Sequence, residues 1–210
     1  MKLYGFAPSP NTWQVRALAA HLGVPLDFVA LDFTKGDTRT PAFLAINPTG
    51  RTPALTDGDF KLWETLAVMQ YVAGKKPNGL WPDDAHKRAD VARWQSWNLA
   101  HWNRDAWAPV LSERLVKKFL NLGPPDEAVI AKGVEAYHKE AAMLDAHLGR
   151  QKYLVGGTLT IADFAVAAPL FYAKEAELPL TPYPHLREWS ERVMALPCWA
   201  ATAPQMAVAA

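Results

Sequence analysis

The chain has 210 residues, half of them hydrophobic, which is enough for one large or two modest domains. Its 22 Lys and Arg against 21 Asp and Glu leave a net charge of +1, which supplies no field to gather nucleic acid or an anionic membrane surface. The single cysteine, Cys198, excludes an internal disulfide and a metal site built on thiolates.

The first residues, Met-Lys-Leu-Tyr-Gly-Phe-Ala-Pro, break too early for a secretory leader. No apolar run reaches the roughly 18 to 20 residues of a bilayer span, so cytoplasmic residence without a membrane partner is expected. Lys2 to Phe6 predicts a strand that Ala7-Pro8 ends. Ser9 then has the character of an N-cap, with Pro10 at the first helical position. Val15, Leu18, Ala19 and Leu22 form one apolar helix face, and Gly23 suits the stop. Leu26 to Leu31 alternates as a second strand.

Residues 47–65 change the pattern. Pro48 keeps Asn47 out of the helical region, and Thr49-Gly50 supplies a turn. Pro53 opens a short strand, where proline is tolerated. Asp57-Gly58 marks a hairpin that returns through Phe60-Lys61-Leu62. From Glu64 onward, Leu66, Met69 and Val72 recur at helical spacing.

The motif Asn-Pro-x-Gly-x-x-Pro-x-Leu, followed after one hairpin by an acid and a hydroxyl residue, resembles the glutathione-binding half of cytosolic glutathione transferases. The resulting order, βαβ-α-ββα, is that of a thioredoxin-like fold. The resemblance implies a cis peptide before Pro53. It also implies that Thr52 offers its backbone N–H and C=O to the cysteinyl part of glutathione, like an added strand. Glu64 would pair with the γ-glutamyl amine. Thr65, where the family usually has Ser, would present an N–H and a hydroxyl at a helix N-terminus to the γ-glutamyl carboxylate.

Breakers and charges at Lys75-Lys76-Pro77-Asn78-Gly79 separate a thioredoxin-like domain (1–76) from an all-helical domain (87–210) through a linker at 77–86. Helices are expected over Arg88 to Trp107, which holds Trp94, Trp97, Trp102 and Trp107, and over Pro109 to Leu120. Gly123-Pro124-Pro125 interrupts, and Asp126 caps a helix running to Leu148. Thr160 and Asp163 have capping-box spacing, with Leu159 and Phe164 placed as a hydrophobic staple. The same family carries such a box in its helical domain, so the resemblance extends over nearly the whole chain; the box is structural. Pro184-His185-Leu186 and Trp189 to Trp199 give the last helices, with Cys198 as a small buried hydrophobe.

Glutathione chemistry needs a thiolate, and a free thiol with a pKa of about 8.5 is only a few per cent ionised at neutral pH. The stretch Leu-Tyr-Gly-x-x-x-Ser-x-Asn-x-x-x-Val-Arg resembles bacterial and phi-like members whose catalytic residue is Ser at this point. The resemblance therefore makes Ser9 the thiolate stabiliser and Asn11 a neighbouring or substitute donor. Tyr4 is the rival, but it belongs to the strand, where its phenol packs. Arg39 and Arg51 are the candidate cations for the glycine carboxylate, each offering a bidentate fork. The second substrate is expected between the domains, with Phe6, His101 and Trp102 as candidate contacts. Trp94, Asn98, His101 and Asp105 share a stripe that core packing or a dimer interface also explains. The resemblance implies a homodimer that conjugates glutathione, its cosubstrate, to small apolar electrophiles without a metal. Glutathione-dependent peroxide or disulfide reduction, and non-catalytic binding on the same scaffold, are the alternatives.

Overall fold

Leu3, Leu55 and Leu62 face one another across a four-stranded sheet, in register through the pairs Leu3–Leu55 and Leu55–Leu62. The structure is a computed structural model that describes residues 1–204. The last six residues of the expected helical domain lie outside the described residues. Strand β1 (Lys2–Gly5) runs parallel to β2 (Asp27–Ala30) and antiparallel to β3 (Ala54–Asp57), which pairs antiparallel with β4 (Phe60–Trp63). The order is β2-β1-β3-β4. Helix α1 (Pro10–Leu22) buries the predicted Val15, Leu18 and Ala19 and stops at Gly23 in the left-handed conformation. A short α2 (Pro41–Leu44) is capped by Thr40, and α3 (Thr65–Ala73) buries Val68, Met69 and Val72 while packing on α1.

The chain divides into two compact units: Met1–Trp81 together with the described residues from Leu196 on, and Pro82–Ala195. In the second unit, residues 85–120 are helical without a break. They comprise α4 (Ala85–Trp97), a π-helical stretch (Asn98–Trp107), α5 (Ala108–Leu111), a second π-helical stretch (Ser112–Val116) and α6 (Lys117–Leu120). The expected interruption before Pro109 does not occur. Proline lacks an N–H and its ring crowds the carbonyl four residues back; here the preceding turns have already widened, with Ala108 N–H bonding Asn103 O, five residues back.

Helix α7 (Glu127–Leu148) starts at Asp126, whose carboxylate accepts from the N–H groups of Ala128 and Val129. Helix α8 (Ile161–Ala167) opens with the predicted capping box, and α9 (Pro184–Met194) follows. The last helix, α10 (Pro197–Ala201), belongs to the first unit and packs on α1. There Trp13 Nε1 donates to Thr202 Oγ1 at 3.2 Å, and the Trp13 and Trp199 rings meet edge to face. Cys198 is buried, and desolvation pushes its thiol up to about 11. Among the described residues no helix is long and apolar enough to cross a membrane.

Candidate functional site

Strand register assembles the first unit's candidates at one end of the sheet. Tyr4 pairs with Ala54, and Ala54 with Trp63. The chain leaving β1 towards Ser9, the chain entering β3 through Thr52-Pro53, and the chain leaving β4 into Glu64-Thr65 therefore emerge side by side. The Thr52–Pro53 peptide is cis. Pro53 lies just outside the ladder, and the Thr52 N–H and C=O have no partner among the described residues, so this short edge can receive another extended backbone.

The turn before it is held by one side chain. Asn47 is buried and uses both ends of its carboxamide. Nδ2 donates to Arg51 O at 2.7 Å, while Oδ1 accepts from Thr49 N–H at 3.0 Å and Thr49 Oγ1 at 2.8 Å. Gly50 has φ +64, and a Cβ there would stand 2.6 Å from Arg39 Nη1 and 3.1 Å from Thr38 O. The glycine thus admits both a left-handed backbone and the Arg39 guanidinium. Arg39 and Arg51 are both exposed. Glu64 is exposed too and has φ 70 and ψ 117, a strained conformation for a residue with a Cβ. Its carbonyl accepts from Val68 N–H, and its carboxylate makes no capping bond.

Ser9 has N-cap backbone geometry, with its carbonyl accepting from Thr12 and Trp13 N–H, but its hydroxyl caps nothing. The hydroxyl is therefore available to an incoming group at the N-terminus of α1. Asn11 accepts from Gln14 Nε2 through Oδ1. Tyr4 stays in β1, its ring edge-on to Phe43. Close approach of α1 to β1 depends on Gly5, since a Cβ there would meet Thr12 Oγ1 at 2.6 Å. The sequence pattern singles out neither Thr12 nor Gln14, because a polar residue one or two positions from an apolar helix face carries no distinctive signal.

The expected electrophile contacts fare differently. Phe6 is half-buried against Phe33, with ring centroids 5.1 Å apart, and its carbonyl accepts from Ser9 N–H. His101 is exposed on the π-helical stretch, 3.8 Å from Asp105 Oδ2. A hydrogen bond from Arg104 holds the Asp105 carboxyl below the usual carboxylate range. Trp102 is corrected to a core residue: it is fully buried, donates from Nε1 to Val166 O at 3.1 Å, and stacks on Tyr137 and Trp97. No face of it is open to a substrate in this structure. Trp94 is likewise core. Among the described residues, no group of three His, Cys, Asp or Glu side chains could hold a metal ion.

Residues 1–74 match the family described as glutathione S-transferase, N-terminal domain, and residues 104–197 match glutathione S-transferase, C-terminal domain. The chain is 35% identical over 200 residues to the probable glutathione S-transferase GSTF2 of Oryza sativa subsp. japonica, covering 94% of this chain and 93% of that one. It is also 35% identical over 210 residues to glutathione S-transferase 3 of Zea mays, covering 96% and 92%. A solved structure of glutathione S-transferase I from maize, in complex with an atrazine glutathione conjugate, superposes with a TM-score of 0.88 at 29% identity, covering 100% and 99%. These relatives are from plants and do not support the bacterial side of the resemblance drawn from the Ser9 motif.

Proposed function

The chain belongs to the glutathione S-transferase family, and on that premise we propose that it conjugates glutathione to small apolar electrophiles, with Ser9 as the hydrogen-bond donor to the thiolate. The observation that carries this reading is the uncommitted Ser9 hydroxyl at the N-terminus of α1, at the same end of the sheet as the unpaired backbone of Thr52. The local motif supports the serine-type, phi-like assignment within the family.

The roles follow from chemistry. Thr52 pairs with the cysteinyl backbone of glutathione, Glu64 takes the γ-glutamyl amine, and Thr65 takes the γ-glutamyl carboxylate at the start of α3. Arg39 and Arg51 hold the glycine carboxylate. A hydrogen bond to a charged group contributes about 1.5 to 3 kcal/mol, and a helix N-terminus about 0.3 to 1. Lowering a thiol pKa by one unit takes about 1.4 kcal/mol, so Ser9 with α1 suffices for one to two units. The thiol proton passes to solvent. The sulfur lone pair then forms the S–C bond, and in a substitution the leaving group departs with its bonding pair. Phe6, half-buried near Ser9 in the first unit, is the contact assigned to the electrophile. The reading carries a cytoplasmic homodimer, in keeping with the family resemblance. Exposed Phe60 on edge strand β4 gives such a partner an apolar side chain to cover.

Steady-state conjugation of glutathione to an aryl chloride tests it. Turnover is expected, with kcat/KM falling about 10- to 100-fold on Ser9→Ala. No turnover by the native protein would contradict the reading.

A further inference from the structure

We infer that Gln14 is the positioning residue that turns the carboxamide of Asn11 so that its N–H groups, and not its oxygen, are available beside Ser9. The inference rests on the proposed role of Asn11 as a second donor to the glutathione thiolate.

It follows from a chain of forced choices that begins at a group unable to rotate. Gln14 lies one turn along α1 from the site and is 2% exposed. Its Nε2 is 3.3 Å from Pro10 O and 3.3 Å from Asn11 Oδ1. Pro10 O is a backbone carbonyl, fixed by the helix and only able to accept. Gln14 must therefore direct its NH2 towards it; the flipped amide would set oxygen against oxygen. With the NH2 so placed, its second hydrogen meets Asn11, which can answer only with Oδ1. Amide orientation is assigned from such networks, and this one has a single consistent solution. The cost is visible: Gln14 Oε1 is buried without a hydrogen-bond partner, a desolvation penalty for a polar atom cut off from water. What it secures is that Asn11 Nδ2, with no acceptor among the described residues, carries both remaining donors. A thiolate requires donors, and an unanchored asparagine would present its oxygen, which repels the sulfur, for part of the time.

Gln14→Met keeps the volume and charge and removes the anchor. The readout is the pKa of the bound glutathione thiol, followed by thiolate absorbance in the native protein, Gln14→Met, Asn11→Ala and the double variant. Asn11→Ala is expected to raise that pKa, and Gln14→Met to raise it by about half a unit, a roughly threefold smaller thiolate fraction below the pKa. In the Asn11→Ala background, Gln14→Met is expected to add nothing, because a positioning residue acts only through what it positions. A rise for Asn11→Ala with none for Gln14→Met overturns the inference alone. A Gln14→Met effect that persists without Asn11 also overturns it, since that marks general damage to α1. No change for Asn11→Ala removes the donor role of Asn11 and the inference with it, while the role of Ser9 is judged separately. Should Gln14→Met fail to fold, Gln14→Glu serves in the same cycle. Its carboxylate accepts from Asn11 Nδ2 and turns Oδ1 outward, so a larger rise that shrinks in the Asn11→Ala background supports the inference, and an equal rise in both backgrounds overturns it.

Discussion

Gly50 shows how one residue serves backbone and ligand together. A β-carbon at φ +64 costs about 1 to 2 kcal/mol, and here it would also displace Arg39 from its place over the turn. Gly50→Ala is expected to lower stability by about that amount and to weaken glutathione binding several-fold, as read by denaturant unfolding and by titration calorimetry. Lost stability with unchanged affinity would remove Arg39 from the carboxylate site. At this scale the sequence is legible where turn chemistry is strict. Pro53 and Gly50 are residue types their positions demand, so the turn and strand entry they form can be read from their spacing. The triple use of the Asn47 side chain is not legible, because any turn accepts an Asn for its local bonds. Trp102 misled for a related reason. On a helix, a tryptophan facing a core and one facing a ligand have the same periodicity, and only the neighbouring Tyr137 and Val166 decide between them.

Helix α8 is the clearest case of an element specified by its first turn. Burial pushes the Asp163 carboxyl up, against four donors that favour its charge: Leu154 N–H, Thr160 N–H, Thr160 Oγ1 and Trp189 Nε1. Asp163 therefore ties the preceding loop and α9 to the start of α8. Asp163→Ala would strand these donors in a dry core, and a loss of about 3 to 4 kcal/mol is expected. Thr160→Ala, which loses one cap, should cost about 1 kcal/mol. Chemical unfolding checks both, and equal losses would contradict the account. The box is legible because its spacing is short-range. The uninterrupted helix through Pro109 is not, since the widened turns that accommodate the ring leave no mark in residue type. Nor does any local pattern announce that α10 packs on α1; that contact joins residues 189 positions apart in sequence.

One source of acid sensitivity in the protein as a whole is His147 in the helical unit, alongside His21 in the first. Burial lowers the pKa of His147, partly offset by its hydrogen bond to the Leu154 carbonyl, while Arg93 and Arg150 lower it and Asp90 raises it by smaller amounts. The unfolded imidazole, with its ordinary value near 6.5, takes up a proton before the folded one does. Stability is therefore full above that value and lost as pH falls from it towards the depressed value. A shallow decline is expected in unfolding midpoints below about pH 6.5, flattened in His147→Gln; a decline unchanged by that substitution would place its origin elsewhere. Fold and family were readable because punctuation, periodicity and one dense motif agree over both halves of the chain. The electrophile was not, because apolar walls recognise shape, and shape is set by packing that no short motif encodes.

The central claim is that Ser9 holds a thiolate. Its most direct test is the pH titration of thiolate absorbance for glutathione bound to the native protein and to Ser9→Ala. A bound-thiol pKa about one to two units below the free value of about 8.5, returning towards it in Ser9→Ala, is the predicted result. An unshifted thiol in the native complex, or a lowered one indifferent to Ser9, would contradict it.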